Sequence, residues 1–260
     1  MSEILDGIFD LKMEFEGTAY RNIYTIYQSQ DLFDDLCTDS DQIAVLQKYE
    51  NITSGVLHES HQKHRLFDYS KLHTSSLTGA FDPPYTFGRF GDGNGYGVWY
   101  SAMEEKTSIY EAFYHQWQLA KEQFKNNPKT NLITIDRKMF SCELKSNYVL
   151  DFRSQFALYD NLTSNKYDFC NELGKRAREM GVQMMIVPSA RNIGGLCSPV
   201  FLPEVIKNER AVYFLKFYFH KSGKAEIERI SNKKESFHFP PNWGTDEPIQ
   251  TQKEEQNNFN

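Results

Sequence analysis

Several protein classes are excluded by what this chain has little of. Its 260 residues include four cysteines, Cys37, Cys142, Cys170 and Cys197. None forms a CxxC pair or has a histidine at metal-ligand spacing, so they read as free thiols of a reducing cytosol rather than a disulfide or zinc framework. No apolar run approaches the ~20 residues needed to cross a bilayer. The acidic start, MSEILDGIFDLKMEF, lacks the charged-then-apolar order of a secretory signal. These features predict a cytoplasmic protein without a membrane partner. Basic charge is also short. Lys and Arg total 29 against 35 Asp and Glu, a net charge of -6 and a pI near 5.7, which argues against direct, sequence-independent nucleic-acid binding. Gly-rich cofactor signatures are missing as well: there is neither a GxGxxG entering a helix nor a Walker loop with its GK[ST]. No metal site is expected. His58, His61 and His64 recur at three-residue intervals, but without an HExxH order they read as solvated or hydrogen-bonded side chains.

Aromatic residues, in contrast, are plentiful. The chain has 20 Phe and 15 Tyr, with 40% hydrophobic and 25% charged residues, a composition that suits one soluble globular domain with a large core. The expected organisation is a single domain over residues 1–235, with an N-terminal strand and helices in 14–80 and a core in 81–219. A polar segment over 236–260, expected to be mobile, follows.

The most informative stretch runs from Tyr85 to Trp117. Gly88, Gly91, Gly93, Gly95 and Gly97 are threaded with Arg89, Phe90 and Tyr96, and the short run Val98-Trp99-Tyr100 follows. A glycine-rich segment alone means a turn or hairpin. Here a cation precedes it, an aromatic strand follows it, and a helix carrying Glu111 comes next, which together suit a pocket for a phosphate-bearing ligand. Ser108 and Glu111 match the S-x-x-E capping box, predicting a helix from Ser108 to Phe124 with Ile109, Phe113, Trp117, Ala120 and Phe124 on its buried stripe. On that reading Glu111 is an N3 capping carboxylate, a role compatible with facing a ligand.

Elsewhere the pattern predicts an entry strand over 14–28 containing Tyr20 and Arg21, the latter either an edge-strand charge facing water or a ligand contact. Two short helices are expected between Asp31 and Glu50. Strands are expected at Leu132–Ile135 and Ser146–Asp151, a helix over Lys166–Met180, and a fully apolar, central strand at Met184–Pro188. The last core strands are Ser198–Leu202 and Ala211–Phe219. Ser189 lacks a GxSxG context and reads as a hydrogen-bonding or strand-capping serine.

GRFGDGNGYGVWYSAMEEKTSIYEAFYH resembles the central signature of RES-domain proteins: an Arg-aromatic pair at Arg89-Phe90, a Gly-containing turn, a strand ending in Tyr100, and a helix carrying Glu111. GTAYRNIY resembles the family's opening strand, with its Tyr-Arg pair at Tyr20 and Arg21. IVPSARNIGGLCSPVFLP resembles its late Pro-Ser-x-Arg segment, placing the family serine at Ser189 and its Arg at Arg191. The resemblance implies an α+β fold, with an ADP-ribosyltransferase-like split β-sheet core flanked by helices. It also implies an NAD+-degrading enzyme that cleaves the nicotinamide–ribose bond by hydrolysis or phosphorolysis, the toxin of a bacterial toxin–antitoxin pair. NAD+ is then the substrate and no cofactor is needed. The implied partner is a protein antitoxin, with oligomerisation through it or through a second copy. Glu111, Arg89 and Tyr100 are the implied catalytic residues, and Arg21, Tyr20, Ser189, Arg191 and Phe90 the implied NAD-binding ones. Two other readings share the same residues: a protein mono-ADP-ribosyltransferase, and a catalytically silent module that keeps the fold for partner recognition.

Overall fold

A computed structural model describes residues 8–9, 12–24 and 75–230. The two short helices expected between Asp31 and Glu50, the His58/His61/His64 set and the 236–260 segment lie outside the described residues.

Strand β1 (Met13–Tyr24) opens the described fold. A short helix, α1 (Ser75–Phe81), ends where Asp82-Pro83-Pro84 begins, because the residue before a proline is pushed out of helical backbone geometry. The glycine-rich stretch folds into a two-stranded ribbon, β2 (Phe87–Gly88) and β3 (Gly91–Asp92). It is followed by β4 (Trp99–Ala102) and the long helix α2 (Glu105–Asn126). Next come β5 (Leu132–Asp151), the short α3 (Tyr159–Thr163) and α4 (Asp168–Glu179). The last four strands are β6 (Met184–Pro188), β7 (Leu196–Val200), β8 (Ile206–His220) and β9 (Ala225–Ile230).

The architecture is α+β. Among the described residues, one seven-stranded sheet has the order β1-β4-β7-β6-β5-β8-β9, and β1 also pairs with β5. The first five of these strands therefore form a closed circuit, from which β8 and β9 extend. β5 makes this possible through its length. Read as two strands from sequence, it is one continuous strand of 20 residues, paired antiparallel with β1 from Val149 to Arg137 and with β8 from Leu132 to Leu144. Its middle is covered by both neighbours. Met139 to Cys142 and Leu144 are buried, Ser141 among them, while Glu143 is exposed, and that mixed polarity hid the continuity.

β6 is central, as expected, running parallel to β5 and antiparallel to β7. Successive side chains on a strand point to opposite faces, and β6 divides them between two cores. Met184 and Ile186 join Trp99, Leu144, Val149 and Val200, while Met185 and Val187 join Phe90, Leu150, Leu162 and Leu173. α4 seals the second core with Cys170, Leu173, Gly174 and Ala177. α2 lies on a third cluster, in which Ile109 and Phe113 meet Met139, Phe217 and Phe219. Phe113 sits 4.9 Å from Phe219, ring centre to ring centre.

Candidate active site

The start of α2 decides what Glu111 does. The helix begins at Glu105, three residues before the expected Ser108, and its N-cap Glu104 makes no side-chain capping bond. The Ser108 amide already donates to the Glu104 carbonyl, so Ser108 lies inside the first turn. Glu111 is therefore in the second turn, where backbone N–H groups have intrahelical partners, and the capping box does not form.

Its carboxylate is engaged instead by the loop after β6. Ser189 Oγ donates to Glu111 Oε1 at 2.5 Å, and the Ala190 N–H donates to the same oxygen at 3.1 Å. Ser189 Oγ in turn accepts the N–H groups of Arg191 and Asn192 at 3.1 and 3.0 Å. The loop is closed by the Ser189 N–H on the Gly195 carbonyl, and Asn192 Nδ2 ties it to Thr107 Oγ1 in the first turn of α2. Ser189 thus acts through Glu111, as a positioning residue.

Glu111 faces a cavity of about 680 Å³, a size suited to a bound small molecule or cofactor. Arg21, Arg89, Phe90 and Tyr100 line the same cavity. Residues from β1, the β2–β3 ribbon, β4 and α2 are thereby brought to one cleft, with Arg89 and Glu111 on its walls.

Each arrives there differently. The Arg21 guanidinium lies over the fully buried Trp99 indole, 5.0 Å from the ring centre, a cation–π contact. Arg89 spends Nη1 on the carbonyls of Leu162 and Ser164 and lies 4.7 Å over Tyr167, so it also staples α3 to the ribbon. Tyr100 accepts the Phe90 N–H through its hydroxyl at 2.8 Å, and Tyr96 donates its hydroxyl to the Phe90 carbonyl at 2.9 Å. Burial pushes the Tyr100 hydroxyl well above the usual phenol range, leaving it neutral. Two glycines allow this packing. A Cβ on Gly88 would stand 2.7 Å from the Tyr100 hydroxyl, and one on Gly174 of α4 would stand 2.1 Å from the Phe90 carbonyl oxygen.

Three expected contacts lie elsewhere. Tyr20 packs with the Ile109–Phe113 cluster and is not a lining residue; its neighbour Arg21 takes the cavity side, as alternation along a strand requires. Ser189, an implied NAD contact, is not a lining residue either, its hydroxyl being spent on Glu111. Arg191 is buried, lies over the Tyr114 ring at 3.4 Å and donates to Asn165 Oδ1 at 2.7 Å. It braces the loop and does not line the cavity.

The cleft also contains residues that the sequence had not singled out: Asn22, His115, Arg137 and Tyr167. His115 follows Glu111 by four positions, one helical turn on, a spacing that was legible. Arg137 sits within the polar middle of β5, where nothing in the local pattern marks it.

A family model for the RES domain matches residues 59–220, well over half of the chain. The chain belongs to the RES-domain family. The matched span contains Arg89, Tyr100, Glu111, Ser189 and Arg191, while β1 with Arg21 precedes it and enters the site through the fold. No curated protein sequence matches. A similar solved structure is that of the M. tuberculosis MbcT–MbcA toxin–antitoxin complex, at 13% identity and a TM-score of 0.43, covering 77% of this chain and 86% of that one.

Proposed function

We propose that this RES-domain protein degrades NAD+ by cleaving the nicotinamide–ribose bond, and that a protein antitoxin restrains it. One observation carries the proposal: a helix-borne carboxylate, Glu111, is held from behind by Ser189 and Ala190 in a cleft that also presents Arg21, Arg89 and Tyr100. Breaking the C–N glycosidic bond sends its electron pair to the nicotinamide nitrogen, which loses its positive charge. The ribose C1′ gains oxocarbenium character, as in glycoside hydrolysis. Water or phosphate then bonds to C1′ through oxygen, and water releases a proton in doing so. Among the described residues, Ser189, Ala190 and Cys197 all donate to Glu111 Oε1, which leaves Oε2 to meet the ribose and its developing charge. Arginines carry the phosphate groups through forked, charge-assisted contacts.

The test is to incubate purified protein with NAD+, with and without phosphate, and to identify the products. Free nicotinamide with ADP-ribose, or with its phosphorylated form when phosphate is present, supports the proposal. Labelled ADP-ribose transferred to a protein instead marks a mono-ADP-ribosyltransferase using the same cleft. Unchanged NAD+ would leave only the partner-binding module.

A further inference from the structure

One wall of the cleft carries more positive charge than its surroundings neutralise. Arg21, Arg89 and Arg137 line it, and Glu111 is the single carboxylate among the lining residues, in a chain of net charge -6. Arg89 is already engaged by two carbonyls and the Tyr167 ring. In direct contact, Arg21 and Arg137 likewise meet only neutral groups, the Trp99 ring and Asn22. Arg137 is 7% exposed, and its donors go to one neutral residue: Nε to Asn22 Oδ1 at 2.7 Å and Nη2 to the Asn22 carbonyl. Two further buried donors here, Arg21 Nη1 and Asn22 Nδ2, have no acceptor among the described residues. Burying a guanidinium without a counter-ion is costly, and buried donors without acceptors are rare. Desolvation accordingly lowers Arg21 to about 10, with Glu209 of β8 offsetting part of that loss, and lowers Arg137 to about 9, with Arg21 adding to the effect. An anion supplies both missing elements at once, the countercharge and the acceptors.

We infer that Arg21 and Arg137, with Asn22 between them, form a two-armed clamp for a pyrophosphate or phosphate group, and that Arg137 rather than Arg89 is the partner of Arg21. The inference deepens the dinucleotide reading by naming the subsite for the phosphates, but its geometry stands apart from the cleavage chemistry. Asn22 holds the Arg137 fork through Nε and Nη2, leaving Arg137 Nη1, with Arg21 Nη1 and Asn22 Nδ2, as the donors for the anion.

Calorimetric titration with inorganic pyrophosphate, which needs no turnover, tests it. Wild-type protein is expected to bind, and Arg21→Met and Arg137→Met each to weaken binding roughly tenfold or more, the loss typical of a charge-assisted contact. Arg21 donates none of the described hydrogen bonds, so R21M is expected to keep or raise the melting temperature of the unliganded protein. If R137M fails to fold, Arg137→Lys decides, because it retains the charge and loses the fork. Less than a threefold loss in R137K, or in a folded R137M, overturns the clamp, as does a wild-type protein that does not bind pyrophosphate. Binding through both arginines with NAD+ left intact sinks the proposed reaction and spares the clamp. NAD+ cleavage with normal pyrophosphate binding by the Arg137 variants does the reverse.

Discussion

Glu111 divides its two oxygens between protein and cleft, and this division makes its role separable from that of Ser189. Replacing Glu111 with Gln keeps the shape and one acceptor oxygen while removing the charge. Turnover of NAD+ is expected to fall by roughly 10²–10³, the usual loss for one preorganised electrostatic contact, with the melting temperature little changed. Wild-type turnover in E111Q would leave the carboxylate without a catalytic part. Ser189→Ala should behave otherwise. It leaves the charge in place but frees it to move, so kcat is expected to drop about ten- to a hundredfold with KM nearly constant, the scale of an ångström-sized misplacement. It also strips the Arg191 and Asn192 N–H groups of their acceptor, and stability should fall by about 1–3 kcal/mol. Steady-state kinetics and chemical denaturation measure the two effects separately. Tyr96, between β3 and β4, gives a pH signature. Burial raises the Tyr96 hydroxyl to about 12 from an ordinary 10, so the folded state holds that proton more tightly than the unfolded chain. The resulting stability is complete below pH 10 and is lost as pH rises from 10 towards 12. A melting-temperature profile for Tyr96→Phe should be flatter than wild type across that window; coincident slopes would refute the assignment.

At the scale of elements, the ribbon, α4 and β4 form one interlocked unit. Asn171 of α4 donates through Nδ2 to the carbonyls of Gly88 and Arg89 at 2.8 and 2.7 Å. Gly174, one turn on, lets the Phe90 carbonyl approach the helix. Gly174→Ala puts a methyl where that oxygen sits, and because the obstacle is backbone the ribbon or the helix has to move. A stability loss of about 1–3 kcal/mol is expected, as for other overpacked sites, together with loss of NAD+ turnover, since Arg89 and Tyr100 shift with the ribbon. Urea midpoints and kinetics on one preparation check both. Sequence made part of this unit legible. The order of glycine turn, aromatic strand and helix was visible because each element has its own local signal in turn residues, ring content or apolar spacing. The beginning of α2 was not, because S-x-x-E fits Ser108 and Glu111 equally well inside a helix. β5 was not, because a strand paired along both edges by long neighbours runs on through polar residues that locally look like a break.

Across the whole molecule, the property that sequence conveys least is convergence. Arg21, Arg137 and Glu111 belong to three elements, and only the pairing of β1 with β5 beneath α2 brings them to one cavity. Family resemblance supplied Arg21 and Glu111 because their motifs are local, whereas Arg137 has no motif and reaches the site only through the fold. The same whole-molecule view sets the last prediction. A cleft that carries an oriented carboxylate and buried arginines, in a protein read as consuming a metabolite central to every cell, is expected to be harmful when no partner restrains it. Expression of the chain alone in a bacterial cytoplasm is expected to lower cellular NAD+ and arrest growth, whereas E111Q accumulated to the same level should do neither. The control also addresses the alternative in which the fold serves only to bind a partner, because a silent module would treat wild type and E111Q alike. Equal growth and equal NAD+ in the two cultures, at equal soluble protein, would remove the toxin reading and leave the arginine clamp in need of a different anionic ligand.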